Sequence, residues 1–169
     1  YTPYQAEMAQ GLLQSIFEYQ TCICNLTGME ICNASLYDGA TSLVEAVKLA
    51  LNATKRTKIL VSKNMHPEYL ETLKTSMDPI SNIEIIYFEN ITELNSLCND
   101  KIAGVFVSNP NFFGKIEDLN KIAGIARNNG AISVVSVYPI SLGILEKPAD
   151  LGFDVVIGEG QSLGMPMAC

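Results

Sequence analysis

Five short apolar runs rich in β-branched residues punctuate the chain, at Ile59–Val61, Ile83–Phe88, Val105–Val107, Ile132–Val137 and Val155–Ile157. Each carries hydrophobic residues at adjacent positions instead of strict alternation, a pattern a strand carries when both faces of its sheet are covered. Segments of helical character separate the runs, at Pro67–Ser76, Thr92–Leu97, Ile116–Asn129 and, more briefly, near Leu142–Leu145. Strands alternating with helices predict an α/β fold, a three-layer α/β/α arrangement around a mainly parallel sheet. At 169 residues and 48% hydrophobic content, the chain suffices for one sizeable core and is short for two domains, so residues 1–169 read as a single unit. Ligands of such sheets sit beyond the carboxyl ends of the strands. Here those ends carry His66, Asn109-Pro110-Asn111, Tyr138-Pro139 and the loop after Ile157.

Upstream of the first run, Thr2-Pro3-Tyr4-Gln5 has the form of a capping box, with proline at the first helical position. Met8, Leu12, Ile16, Tyr19, Ile23 and Leu26 recur at helical spacing as far as Gly28, which predicts a long helix with one buried face. The polar stretch Asn33–Thr41 then leads into Leu43, Val44, Val47 and Leu51, so it sits at a helix N-terminus. The abrupt start at Tyr1 and stop at Cys169 suggest a piece of a longer protein.

A net charge of -7 with scattered lysines and arginines argues against nucleic acid, which calls for gathered basic residues. No apolar run approaches the roughly 20 residues of a membrane span. Five cysteines form no pair of CxxC motifs. Cys22 and Cys24 point about 200° apart on a helix, so metal binding is not expected and reduced thiols in the cytoplasm fit best. Four Asn-x-Ser/Thr triplets, at Asn25, Asn33, Asn52 and Asn90, read as coincidence without a signal peptide.

Three places invite chemistry. The Ser35–Thr41 loop offers small residues, hydroxyls and a glycine at a helix start, which is how amide groups and the helix dipole hold a phosphate. Asp38 opposes that use and suits a helix cap instead. His66, the single histidine, can stack on a ligand, act as a base, or simply lead into a helix. Gly158–Gly164 contains three glycines in seven residues, yet no lysine, histidine or cysteine lies between Asp150 and Met167. It is not a dinucleotide fingerprint, since it follows the last predicted strand rather than the first. No Gly-x-Ser-x-Gly elbow is present, which excludes a serine-histidine triad. Glu159 can bond an amine or the backbone, or remain solvated.

Several motifs together resemble one family. Tyr1-Thr-Pro-Tyr-Gln-Ala-Glu7, Gly11-x-Leu-Gln14, Phe17-Glu-Tyr-Gln-Thr21, Leu26-Thr-Gly28, Asn33–Thr41, His66-Pro67, Pro139-Ile-Ser-Leu-Gly143 and Gly158–Gly164 are similar, in order, to the N-terminal half of the glycine cleavage system P-protein. Many bacteria make that half as a separate chain, glycine dehydrogenase subunit 1. The resemblance implies the large-domain fold of fold-type-I pyridoxal-phosphate transferases. It also implies a part in the decarboxylation of glycine, with the aminomethyl group passing to the lipoyl group of the H-protein.

Such chemistry needs a lysine, an acidic partner for the pyridine nitrogen and a phosphate cradle. The resemblance to the family's sister half implies that the lysine's place falls near Gln161-Ser162 and that the acid would sit on the strand Ile132–Val137, which has no Asp or Glu. His66 matches a histidine of the sister half. The resemblance therefore implies that pyridoxal 5'-phosphate sits on the partner, subunit 2, in a cytoplasmic heterotetramer, and that this chain has no catalytic or covalent cofactor residue of its own. It would complete the partner's active site and shape access for the lipoyl arm. The expected contacts are Thr2, Tyr4, Gln5, Glu7, Tyr37, Asp38 and Gly39, with Glu159 and Gln161 as further candidates. A purely structural interaction domain is the alternative. An autonomous aminotransferase-like enzyme would need a lysine after the last strand.

Overall fold

A computed structural model describes residues 5–167. Its elements run α1 (Gln10–Thr27), α2 (Gly39–Thr54), β1 (Lys58–Ser62), α3 (Pro67–Met77), β2 (Glu84–Phe88), α4 (Ile91–Leu97), β3 (Ile102–Asn109), α5 (Leu119–Asn128), β4 (Ile132–Val137) and β5 (Val155–Gly158). All five strands are parallel, in the order β2-β1-β3-β4-β5. Each of the five apolar runs is thus a strand.

Strand periodicity divides the core in two. Ile59, Val61, Ala103, Phe106 and Val134 pack under α2 and α3 through Leu43, Val47, Ala50 and Leu73. Leu60, Val105, Val107 and Val135 face the other way, against Leu94 of α4 and Leu119, Ile122 and Ala126 of α5. The chain steps from β1 outward to β2, then turns back past β1 to β3. Because parallel crossovers are right-handed, that reversal moves the connecting helices to the opposite face and produces three layers.

Helix boundaries follow side-chain caps. Asp118 accepts from the Lys121 N–H (3.2 Å), so α5 starts at Leu119 and not at the predicted Ile116. The helical segment expected near Leu142–Leu145 is a 3-10 turn at Pro139–Gly143.

The first helix departs most from expectation. Thr2 and Tyr4, with the capping box they were to form, lie outside the described residues. Within them, residues 6–8 form a turn, and α1 begins at Gln10 after Ala9, which supplies no side-chain cap. Of the predicted buried face, Ile16, Ile23 and Leu26 are half-buried, while Met8 is 80% and Tyr19 44% exposed; Thr27 alone is buried. The amphipathic period is real, but the described chain provides little to cover it. Without packing, a helix end gains little from periodicity alone, which accounts for the late start. Gly28, at φ 79, ends the helix in the left-handed conformation that glycine adopts readily.

Candidate functional site

The carboxyl edge of the sheet gathers the candidate residues at two places. The first is the crevice between β1 and β3, where the direction of the connections reverses and ligands of open α/β sheets usually sit. Here it is lined by the chain itself. The Phe112 N–H donates to the Asn64 carbonyl (2.8 Å), and the His66 ring meets Phe112 edge-on at 5.0 Å. His66 also caps α3, its Nδ1 accepting from the Glu68 N–H at 3.3 Å, and it lies 5.3 Å from the Tyr69 ring. Of the roles open to His66, cap and aromatic packing are the ones this geometry fills. A tight loop holds Phe112 in place: Asn111 Oδ1 accepts from the Phe113 and Lys115 N–H groups, and Asn111 Nδ2 donates to Glu117.

The second place lies where the start of α2 meets the end of β5. Asp38, extended at φ -158, is the N-cap. Its Oδ1 accepts from the Thr41 N–H (2.7 Å) and the Thr41 hydroxyl (2.8 Å), and Thr41 Oγ1 accepts in return from the Asp38 N–H (3.0 Å). This reciprocal capping box holds the Asp38 carboxyl below its ordinary range, first through the Thr41 amide, then through its hydroxyl. A second amide of the turn, that of Gly39, donates to Glu159 Oε2 at 3.0 Å, 120 residues along the chain. Tyr69 closes the group. A Cβ built on Gly39 would stand 2.0 Å from the Tyr69 hydroxyl, so only glycine lets the phenol lie there. Burial, and then the negative charges of Glu159 and Asp38, push the Tyr69 phenol up.

Three of the sequence candidates, Asp38, Gly39 and Glu159, therefore form one cluster. Tyr37 stands beside it, 93% exposed. Gln161 is exposed and donates to the Met165 carbonyl. Gln5 and Glu7 are exposed in the turn before α1 and make no described side-chain bond to the cluster, and Thr2 and Tyr4 lie outside the described residues. Two tyrosines were missed. Tyr69 stands three residues after His66 on one helical face, a spacing that could have paired them. Tyr19, read as a packing residue, brings its hydroxyl against Gly160, and burial pushes its phenol up, helped by Cys32 and Glu159. No local signal joins it to a loop so distant in sequence.

A groove of about 1140 Å³ runs from this cluster along β5, between α1 and α2, lined by Tyr19, Ile23, Leu36, Glu45, Val156 and Glu159 among others. β5 pairs only with β4 among the described residues.

Could this edge hold pyridoxal phosphate? The donor set does not fit. The loop after β5, a 3-10 turn at Gly160–Leu163, has no amine. β4 carries serines and no carboxylate, and the Gly39 and Thr41 amides at the start of α2 donate to the chain's own carboxylates. Among the described residues, no group of three or more His, Cys, Asp or Glu is placed to hold a metal ion. No helix among them is long and apolar enough to cross a membrane.

Comparison with known proteins agrees with the motifs. The family model described as glycine cleavage system P-protein matches residues 1–169. A Desulforamulus reducens protein named probable glycine dehydrogenase (decarboxylating) subunit 1 is 53% identical, over 99% of this chain and 39% of its own length. A Thermotoga maritima protein of the same name is 47% identical over 99% of this chain and 38% of its own. The crystal structure of a glycine decarboxylase (P-protein) of the glycine cleavage system, in inhibitor-bound form, superposes with a TM-score of 0.91 at 44% identity, covering 99% of this chain and 39% of that one. A Campylobacter jejuni structure described as an O-acetylhomoserine (thiol)-lyase shares the fold alone, with a TM-score of 0.55 at 15% identity over 73% of this chain and 30% of that one. The chain spans about two-fifths of the length of the curated relatives it matches.

Proposed function

The chain belongs to the glycine cleavage system P-protein family, and from that premise we propose that it is the large-domain piece of a glycine dehydrogenase (decarboxylating) subunit 1, one that lacks the Schiff-base lysine. It works in the cytoplasm with subunit 2, in a heterotetramer that decarboxylates glycine and passes the aminomethyl group to the lipoyl group of the H-protein. Pyridoxal phosphate, when bound by the partner, supplies the electron sink for the carbanion left by decarboxylation.

The observation that carries this reading is the carboxyl edge itself. It keeps the shape of a site, with a glycine-rich loop after β5 facing a capped helix start, but that loop carries no amine to hold the cofactor, and the Gly39 and Thr41 amides of the helix start are already held by the chain's own carboxylates. This chain's contribution is then to position and enclose. Asp38, Gly39 and Tyr69 fix the start of α2, Glu159 ties it to the end of β5, and Tyr37 projects from the rim toward solvent. Thr2, Tyr4, Gln5, Glu7 and Gln161 are proposed as further contacts toward the partner's site.

The test uses the full-length gene product and its subunit 2. Borohydride reduction after cofactor loading should label a lysine of subunit 2 and none of this chain. Exchange of labelled CO₂ into the glycine carboxyl should require both chains. A reduced adduct on a lysine of this chain refutes the proposal.

A further inference from the structure

The amides at the start of α2 are taken up in a particular way. Thr41 N–H goes to the adjacent Asp38 carboxylate at 2.7 Å, and Ser42 N–H is bound within the helix to the Asp38 carbonyl at 2.9 Å. That arrangement is local capping and would form in any helix with this sequence. Gly39 N–H is the exception. Its acceptor is Glu159, delivered by the end of β5 from the far side of the groove. Neither carboxylate has a salt-bridge partner among the described residues. Two negative charges thus converge on one helix N-terminus, where the aligned peptide dipoles offer a partial positive charge.

We infer that Glu159 is a built-in anion: its carboxylate occupies the Gly39 amide where a bound phosphate would need it, closing this helix start to phosphorylated ligands and tying α2 to β5. The inference deepens the proposed reading of a subunit without its own cofactor and rests on it. A missing lysine removes covalent attachment only, whereas Glu159 also removes the non-covalent hold. A phosphate approaching Gly39 meets the carboxylates of Asp38 and Glu159 and the oxygen end of Tyr69, and such like-charge contact is repulsive.

The prediction separates Glu159→Ala from Glu159→Gln in the full-length chain. Glu159→Gln keeps an acceptor oxygen and should hold the Gly39 amide, with its hydrogen exchange slowed as in the parent. Glu159→Ala should expose that amide, speed its exchange and lower the melting temperature by about 1–3 °C. Formate should restore part of the loss, and chloride at equal ionic strength should not. Inorganic phosphate should leave the parent chain's melting temperature unchanged relative to chloride.

Phosphate stabilising the parent chain without a borohydride-trapped lysine overturns this inference while leaving the proposed function intact. A trapped lysine overturns the proposed function itself. If Glu159→Ala does not fold, exchange at Gly39 in the parent decides: an unprotected amide means that Glu159 does not hold it, and the inference fails.

Discussion

Replacing Gly39 by alanine tests the packing of the α2–β5 corner directly. The added Cβ would lie 2.0 Å from the Tyr69 hydroxyl and 2.7 Å from its Cζ, against an ordinary contact of at least 3.4 Å, so the ring must retreat by more than an ångström. Its retreat is restricted, because Tyr69 packs on the core cluster beneath α2 and against His66 at 5.3 Å. Overpacking of this kind costs about 1–3 kcal/mol. Alanine's better helix propensity returns at most about 1 kcal/mol, and less at a first helical residue. The net expectation is a loss of about 1–2 kcal/mol, or a melting temperature lower by roughly 2–8 °C for a chain of this size. A double-mutant cycle with Tyr69→Ala isolates the clash. With the ring gone, Gly39→Ala should cost nothing or stabilise slightly, giving a coupling energy of about 1–2 kcal/mol. Chemical denaturation of the four proteins supplies the numbers. If Gly39→Ala is as stable as the parent, or the two changes add without coupling, Tyr69 does not rest on Gly39 and the corner is built differently.

Asp38→Ala removes the capping box of α2 and should cost about 1 kcal/mol at neutral pH. Because the folded state holds the Asp38 carboxyl below its unfolded value, that stabilisation is complete above the unfolded range and lost as pH falls through the folded one. Denaturation curves of parent and variant should therefore converge under acid, and a difference that persists there argues that the cap is not electrostatic. Arg56→Met is expected to destabilise the opposite edge of the sheet. One guanidinium nitrogen, Nη1, reaches the carbonyls of Ile102 (2.7 Å), Asn129 (3.0 Å) and Gly130 (2.9 Å), joining β3 to the end of α5. Loss of charged hydrogen bonds at a partly exposed site should cost about 2 kcal/mol, with Arg56→Lys recovering part of it, since the ammonium keeps the charge on a shorter side chain. Equal stability of all three proteins by thermal melts would contradict that role.

What the sequence determined is local. β-branched runs of three to six residues marked all five strands, because side chains buried on both faces leave no room for polar alternation. Asp38 marked the start of α2, because an N-cap and its amides lie within four residues of one another. The absence of an amine after β5 was legible outright. Tertiary structure decided everything that depends on residues far apart in sequence. Gly39 and Glu159 meet only because parallel strands bring the end of β5 beside the start of α2, and no pattern at either position announces the other. Phe112 reaches His66 through a loop whose shape Asn111 sets. The reverse holds for α1, whose apolar residues keep a helical period in the sequence but are largely uncovered in the fold. Periodicity shows which side of a helix can be covered, and only the packed chain decides whether anything covers it.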